Sequence, residues 1–180
     1  KGAHGAKAAA AAGGPGSAPV LEHLKRSVAF TRGDVGKHGL PHLGFADWND
    51  TVNLPKGAES VFNACLYGKA LIEMIELSDH LGDMRSSIRY REYHKTMSAA
   101  VNACAWDGEW YRRGYYDDGA PLGSRESDEC RIDALVQAWS VLSGAAPPER
   151  ANRAMDAVDR HLISDEDGLI RLLTPPFDTT

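Results

Sequence analysis

A four-residue motif, Asp47-Trp48-Asn49-Asp50, places two carboxyl groups three positions apart around one indole ring. Residues 36–46, just before it, are rich in Gly, Pro and His, which favours an irregular loop over a helix. An indole ring can cover the apolar face of a pyranose, and a neighbouring carboxylic acid can protonate a glycosidic oxygen as its bond breaks. The motif therefore points to carbohydrate chemistry on a loop.

The residue types of the motif suggest a division of roles. Asp50 is the candidate acid, and it would need apolar surroundings, partly provided by Trp48, to hold a proton near neutral pH. Asp47 would then orient Asp50 or accept a hydrogen bond from a sugar hydroxyl. The structural alternative is an Asx-turn with Trp48 as a buried anchor, and residue chemistry leaves both interpretations open.

Two other clusters contain residue types that could bind a ligand or take part in catalysis, and for each we favour a structural role. The first cluster combines aromatic rings with two arginines and either lines a sugar cleft, where the arginines would reach an anion, or packs as a hairpin across helix ends. The second cluster is acidic and lies at a predicted helix start, where carboxylates cap free amides. The first comprises Trp106, Trp110, Tyr111, Arg112, Arg113, Tyr115 and Tyr116, and the second comprises Glu126, Asp128, Glu129 and Asp133.

No metal or nucleotide site is expected from the sequence. His38 and His42 are four residues apart, but Gly39 and Pro41 between them exclude a zinc-binding helix face. The acidic run at 165–168 lacks the spaced ligands of a calcium loop and indicates a turn. Glycine-rich nucleotide-binding motifs are absent from the sequence.

Composition narrows the class of protein further. The chain has 180 residues, 43% of them hydrophobic, and a net charge of -5, which fits one globular domain and argues against nucleic-acid binding. Its three widely spaced cysteines suggest reduced thiols and a cytoplasmic location. No apolar run approaches the roughly 18 residues that a membrane span requires, so we expect no membrane association.

The hydrophobic pattern predicts an all-α fold. Residues 1–18 form a low-complexity or linker segment, and the folded domain occupies 19–180. Helical hairpins with long loops and a short β-hairpin at one end suggest part of an α/α barrel or toroid. Helices are predicted over about 19–33, 58–80, 82–104, 130–143 and from 147 onward, with a hairpin or extended loop over 105–129, a turn at 164–168 and a short strand at 169–173.

Several ordered motifs carry a resemblance to a known family. In chain order they occupy residues 39–41, 46–50, 57–61, 106–113, 117–124, 128–133, 137–140 and 167–178. Together they resemble the glycoside phosphorylases of glycoside hydrolase family 94. That family includes cellobiose and chitobiose phosphorylases and the phosphorylase region of cyclic β-1,2-glucan synthases.

The resemblance implies an (α/α)6 barrel and a glycosyltransferase activity. A β-linked disaccharide or β-glucan would be cleaved by inorganic phosphate, with inversion, to α-glucose 1-phosphate. It assigns Asp50 as general acid and Trp48 as a sugar contact. Asp47 and Asn49, the other two residues of the motif, are further candidates for substrate binding. Phosphate is a co-substrate and already an anionic nucleophile, so no second catalytic carboxyl and no cofactor are expected. A homodimer is a further expectation from the family.

Two departures from the family pattern limit what the resemblance implies. Ala46 and Thr51 flank the motif where many members have glycine, which leaves the acceptor sugar and linkage open. Family enzymes are also several times longer, so we expect this chain to be a slice that neither closes a barrel nor turns over alone. The alternative function is a non-catalytic carbohydrate-binding or scaffold piece of the same fold.

Overall fold

The computed structural model describes residues 17–44, 47–49, 52–54 and 56–178, and its regular structure is mostly helical. Residues 1–16 of the predicted linker lie outside this description. The part of the chain that is described contains α1 (Val20–Gly33), α2 (Val61–His80), α3 (Met84–Ala100), α4 (Ala134–Leu142) and α5 (Pro148–Leu162).

Among the described residues, seven two-residue strands lie at the ends of the helices. They are β1 (Glu59–Ser60), β2 (Gly114–Tyr115), β3 (Pro121–Leu122), β4 (Ile132–Asp133), β5 (Ile163–Ser164), β6 (Leu169–Ile170) and β7 (Leu173–Thr174). Strands β1, β2 and β3 form one antiparallel sheet in that order, and β4–β7 and β5–β6 form two further antiparallel pairs.

Helix α2 lies at the centre of the core because apolar residues cover most of its circumference. It packs against α1, α3 and α4. Val61, Cys65 and Leu71 along it are fully buried. A smaller apolar cluster, which includes Leu43, Val52, Ala58, Leu122 and Cys130, lies beside the motif loop.

The predicted helices are present, and two boundaries differ in an informative way. The predicted helix over 82–104 ends as α3 at Ala100 and continues as a π-helical segment, Val101–Ala105. The predicted helix from Cys130 begins only at Ala134, because β4 pairs with β7 just before it. That pairing also divides the single strand predicted over 169–173 into β6 and β7.

The N-terminal end of α2 lies next to the two ends of the motif loop. Ser60 accepts a hydrogen bond from the Asn63 amide at 3.1 Å and so caps the helix. The backbone before the motif pairs with the same region, since the Leu43 amide donates to the Ala58 carbonyl at 2.8 Å. The loop therefore begins and returns at the N-terminal end of α2.

No helix among the described residues is long and apolar enough to cross a membrane.

Candidate active site

The described part of the motif combines a buried carboxylate with an exposed indole. Asp47 is 5% exposed, whereas its neighbour Trp48 is 64% exposed. Asn49 is partly buried. Asp50, the candidate acid, lies outside the described residues, so its assignment stays a prediction. The loop thus presents an aromatic face outward while one of its carboxylates faces inward.

An Asx-turn shapes the motif, as one of the two sequence interpretations expected. The Asn49 amide donates to Oδ1 of Asp47 at 3.0 Å, and the Val52 amide donates to the Asn49 carbonyl at 2.8 Å. The same interpretation expected a buried Trp48 anchor, and that part is wrong because the ring is exposed. The buried anchor of this loop is Asp47.

Arg113 is the partner that holds Asp47 in the interior. Its Nη2 donates to Oδ1 of Asp47, and its Nη1 donates to Oγ of Ser60 at 3.2 Å. Its Nε lies 3.2 Å from Oδ2 of Asp133. The side chains of Arg113, Asp47 and Asp133 are 1%, 0% and 2% exposed. We call these four residues, Asp47, Ser60, Arg113 and Asp133, the Arg113 cluster.

The β-hairpin formed by β2 and β3 places Arg113 at this position. Its amide donates to the Leu122 carbonyl at 2.8 Å, and its carbonyl accepts from the Val61 amide at 3.2 Å. Gly123 allows the strands to approach, because its φ is +79° and a Cβ there would lie 2.4 Å from the Arg113 nitrogen. The side chain then passes over the Phe62 ring, with Cζ 5.6 Å from the ring centre.

Asp133 connects the cluster to α4. It caps that helix by accepting hydrogen bonds from the amides of Leu135 and Val136 at 2.8 and 3.4 Å. Burial raises the pKa of the Asp133 carboxyl, and the Arg113 charge and the capping amides oppose that rise. The capping role predicted for the acidic group at this helix start is therefore confirmed at Asp133.

A cleft of about 510 Å³ opens beside the motif loop. Asn49 and Val52 form one wall, and Tyr116, Leu173 and Phe177 contribute apolar and aromatic surface. Such a mixture of ring faces and a few polar groups suits a carbohydrate. A second cavity, of about 660 Å³, lies between the two stems of the loop and is lined by His42, Asp34 and Lys56.

Most of the aromatic cluster serves packing, as the structural interpretation expected. Trp110, Tyr111 and Tyr115 are buried, and Tyr116 alone of the five rings borders the cleft beside Asn49. Arg113 does not reach toward an anion in the cleft, because Asp47 and Asp133 occupy it. Its neighbour Arg112 pairs with Asp107 at 2.6 Å instead.

Sequence reasoning missed two networks that fix the loop. It did not connect Arg113 with Asp47, which are 66 positions apart. It also missed Glu59, a buried carboxylate 2.5 Å from Nδ1 of His38 that accepts from the His38 amide as well. The available signal was a charged residue in a short strand, Glu59, or directly before one, Arg113, where the backbone must be buried.

Among the residues that the structure describes, no three His, Cys, Asp or Glu side chains converge as a metal site would require. The three cysteines are unpaired thiols.

Comparison with known proteins gives a consistent family. Residues 10–180 match the family described as Glycosyl hydrolase 94 superfamily, catalytic domain. The chain is 38% identical over 164 residues, 89% of its length, to the cyclic beta-(1,2)-glucan synthase NdvB of Rhizobium meliloti. It is 37% identical over 91% of its length to an N,N'-diacetylchitobiose phosphorylase of Vibrio proteolyticus. It is 33% identical over 92% of its length to a 3-O-beta-D-glucopyranosyl-beta-D-glucuronide phosphorylase of Paenibacillus borealis.

The chain spans only a small part of each of these relatives. It covers 6% of the glucan synthase and 20% and 22% of the two phosphorylases. Among solved structures, the GH78 family rhamnosidase of Bacillus sp. GL1 has a similar fold, with a TM-score of 0.61 at 16% identity. That likeness covers 85% of this chain and 15% of the rhamnosidase.

The family match extends over nearly the whole chain and agrees with the relatives and with the helical fold. The chain belongs to the glycosyl hydrolase 94 superfamily, within its catalytic domain.

Proposed function

We propose that this chain is the acid-bearing part of an inverting glycoside phosphorylase with an (α/α)6-barrel catalytic domain. The complete protein would cleave a β-linked glucoside with inorganic phosphate and release α-glucose 1-phosphate. The observation that carries the proposal is the contrast within one loop between an exposed Trp48 ring and a buried, ion-paired Asp47. A fixed loop with an outward aromatic face is a suitable platform for a sugar ring.

In this proposal Asp50 donates the proton to the leaving glycosidic oxygen. Trp48 stacks on the sugar, and Asn49, on the wall of the cleft, binds its hydroxyls. Asp47 has one further contact to offer, because its buried Oδ2 accepts no hydrogen bond from any described residue. A donor from the substrate or from another segment of the complete protein would satisfy that oxygen.

The reaction needs only one catalytic carboxyl. An inverting hydrolase uses a second carboxylate to activate water, whereas phosphate is already charged and must only be oriented behind the anomeric carbon. The segments that the longer relatives possess beyond this length would supply the phosphate contacts. We further propose a cytoplasmic location, in keeping with the three free thiols, and a homodimeric assembly.

The test is an assay of phosphate-dependent glucose 1-phosphate release from a panel of β-linked disaccharides. It uses the full-length polypeptide that carries this chain. Loss of a general acid lowers turnover by about 10²–10⁴-fold, so Asp50→Asn should do the same. The matched control is Asp79→Asn, an exposed carboxylate paired with Arg91 at 2.8 Å, which should retain wild-type turnover. Phosphorolysis that survives Asp50→Asn would overturn the acid assignment.

The second candidate is a carbohydrate-binding piece without catalysis, and the exposed Trp48 ring fits it equally well. Titration calorimetry with the same disaccharides separates the two functions. Binding that depends on Trp48 but comes without any phosphorolysis in the wild-type protein would favour the binding function. Phosphorolysis that falls with Asp50→Asn while binding persists would favour the enzyme.

A further inference from the structure

The largest fully buried side chain in the described part of the molecule is that of Arg113, and the proposed chemistry gives it no role. Burial of a guanidinium costs several kcal/mol unless its charge and its N–H groups find partners. Here two carboxylates and one hydroxyl surround it, and each comes from a different segment of the chain.

The three partners of Arg113 lie at three structural junctions. Asp47 belongs to the motif loop, Ser60 is the N-cap of α2, and Asp133 is the N-cap of α4. Nη2 and Nη1 donate hydrogen bonds to Asp47 and Ser60, whereas Nε contacts Asp133 as an ion pair without a hydrogen bond. The loop is fixed to two helix N-termini at once through a single planar group.

Asp47 links Arg113 to the backbone of the motif. Its Oδ1 receives Nη2 of Arg113 and also the amide of Asn49, at 3.0 Å. The carboxylate cannot rotate without losing one of these bonds. The orientation of the peptide at Asn49, the residue before Asp50 in the sequence, consequently depends on where Arg113 holds Asp47.

We infer that Arg113 is a positioning residue for the catalytic motif, acting through Asp47 and supported from behind by Asp133. This inference rests on the proposed function, and it adds a residue that lies 66 positions from Asp47 in the sequence. The Arg113 side chain is 1% exposed, and in this inference it touches neither substrate nor phosphate. It sets the geometry from which the acid acts.

The planar fork of arginine is needed for this role. A lysine ammonium carries its three N–H donors on one nitrogen at the end of a flexible stem, so it cannot reproduce the planar spread of the guanidinium toward three separate segments. Arg113→Lys keeps the charge but releases Ser60 or Asp133, which lets Asp47 and the loop shift. A misplacement of about 1 Å can lower turnover by about 10²-fold.

The experiment compares three variants of the full-length protein with two substrates. The variants are Arg113→Lys, Asp133→Asn as the second route to the same cluster, and Arg112→Lys as the matched control. The substrates are the disaccharide found in the assay above and 2,4-dinitrophenyl β-glucoside, whose leaving group needs little protonation. Asp50→Asn is measured alongside, and thermal unfolding identifies a temperature at which every variant is folded.

We expect kcat of Arg113→Lys on the disaccharide to fall by about 10–10²-fold while KM stays within about threefold. The loss should shrink to within about threefold with the dinitrophenyl substrate, as it should for Asp50→Asn. Asp133→Asn should show the same pattern with a smaller loss, and Arg112→Lys should leave kcat for both substrates near wild type.

A merely structural role for Arg113 predicts a different result. The variant would then lose stability with no change in kcat on the disaccharide, or lose activity equally on both substrates, and either outcome overturns the inference. Failure of the proposed function is distinguishable, because Asp50→Asn would then retain phosphorolysis of the disaccharide. If Arg113→Lys does not fold, Asp133→Asn decides between the same outcomes.

Discussion

Arg112 and Arg113 are adjacent in sequence, and both pair with an aspartate, yet they hold different parts of the molecule. Arg113 is 1% exposed and joins the motif loop to the starts of α2 and α4. Arg112 is 26% exposed and bonds to Asp107 at 2.6 Å and to the Cys104 carbonyl at 2.9 Å. Successive residues of extended backbone point to opposite sides, so one arginine enters the core and the other does not.

The Arg112 pair fastens the hairpin to the end of the π-helical segment. Asp107 also accepts from the Ser124 hydroxyl at 3.0 Å and the Arg125 amide at 2.8 Å. None of these partners belongs to the motif. An arginine–aspartate pair stabilises a local turn where the arginine is partly exposed, and it fixes a distant loop where both partners are fully buried.

Neutralising the aspartate of each ion pair in turn should give the largest difference in unfolding free energy between the Arg113 and Arg112 pairs. Asp47→Asn removes one of the two counter-charges of a buried cation, and breaking a buried ion pair in this way costs about 3–5 kcal/mol of unfolding free energy. Asp107→Asn should cost less, because the Arg112 side chain is 26% exposed and stays partly hydrated even though Asp107 is buried. Urea unfolding followed by tryptophan fluorescence measures both. Equal losses would contradict the distinction drawn between the two arginines.

The tight strand contact over Arg113 gives a second, smaller effect. Gly123→Ala adds a methyl group 2.4 Å from the Arg113 nitrogen at a φ of +79°. Gly168→Ala is the control, because its φ is +63° and nothing lies within 4 Å of its Cβ position. Strain alone should cost the control about 1 kcal/mol, and the clash should cost Gly123→Ala about 1–3 kcal/mol more. Thermal unfolding curves of the two variants provide the comparison.

A cysteine lies near each of the two arginines, and the difference between the labelling rates of these two thiols should be the smallest of the expected effects. Burial raises the pKa of Cys130, near Arg113, to about 12, and burial likewise raises the pKa of the half-buried Cys104, near Arg112. At pH 8 both should react slowly with a thiol reagent, with Cys104 the faster of the two. Single replacements by Ala, followed by timed labelling, assign each rate. Faster labelling of Cys130 than of Cys104 would contradict the burial of the Arg113 cluster.

The raised pKa of Cys130 also determines how the free energy of unfolding changes at alkaline pH. The folded pKa of Cys130 lies above its ordinary value of 9.0, so the thiol supports folding fully below about pH 9. That contribution is lost as pH rises from about 9 toward 12, since the unfolded chain releases a proton that the folded chain keeps. Cys130→Ala should therefore make the decline of unfolding free energy over this range less steep.

The local sequence pattern was sufficient to predict where most helices lie and that the motif lies in a loop. Apolar periodicity placed α1, α2 and α5, and the Gly and Pro content excluded a helix around the motif. The same reasoning began α4 four residues too early, because the pairing of β4 with β7 depends on a segment about 40 residues away. It also left open whether Trp48 is a buried anchor or an exposed surface, since burial depends on what packs above the loop.

The sequence by itself determined the family, the helical character and the motif that carries a candidate acid beside an indole, because each is recorded in neighbouring residues. The tertiary structure alone decided that Asp47 faces inward, that Trp48 faces outward and that Arg113 holds the loop. Those outcomes depend on charges 66 positions apart meeting where water is excluded, and no local pattern encodes such a meeting.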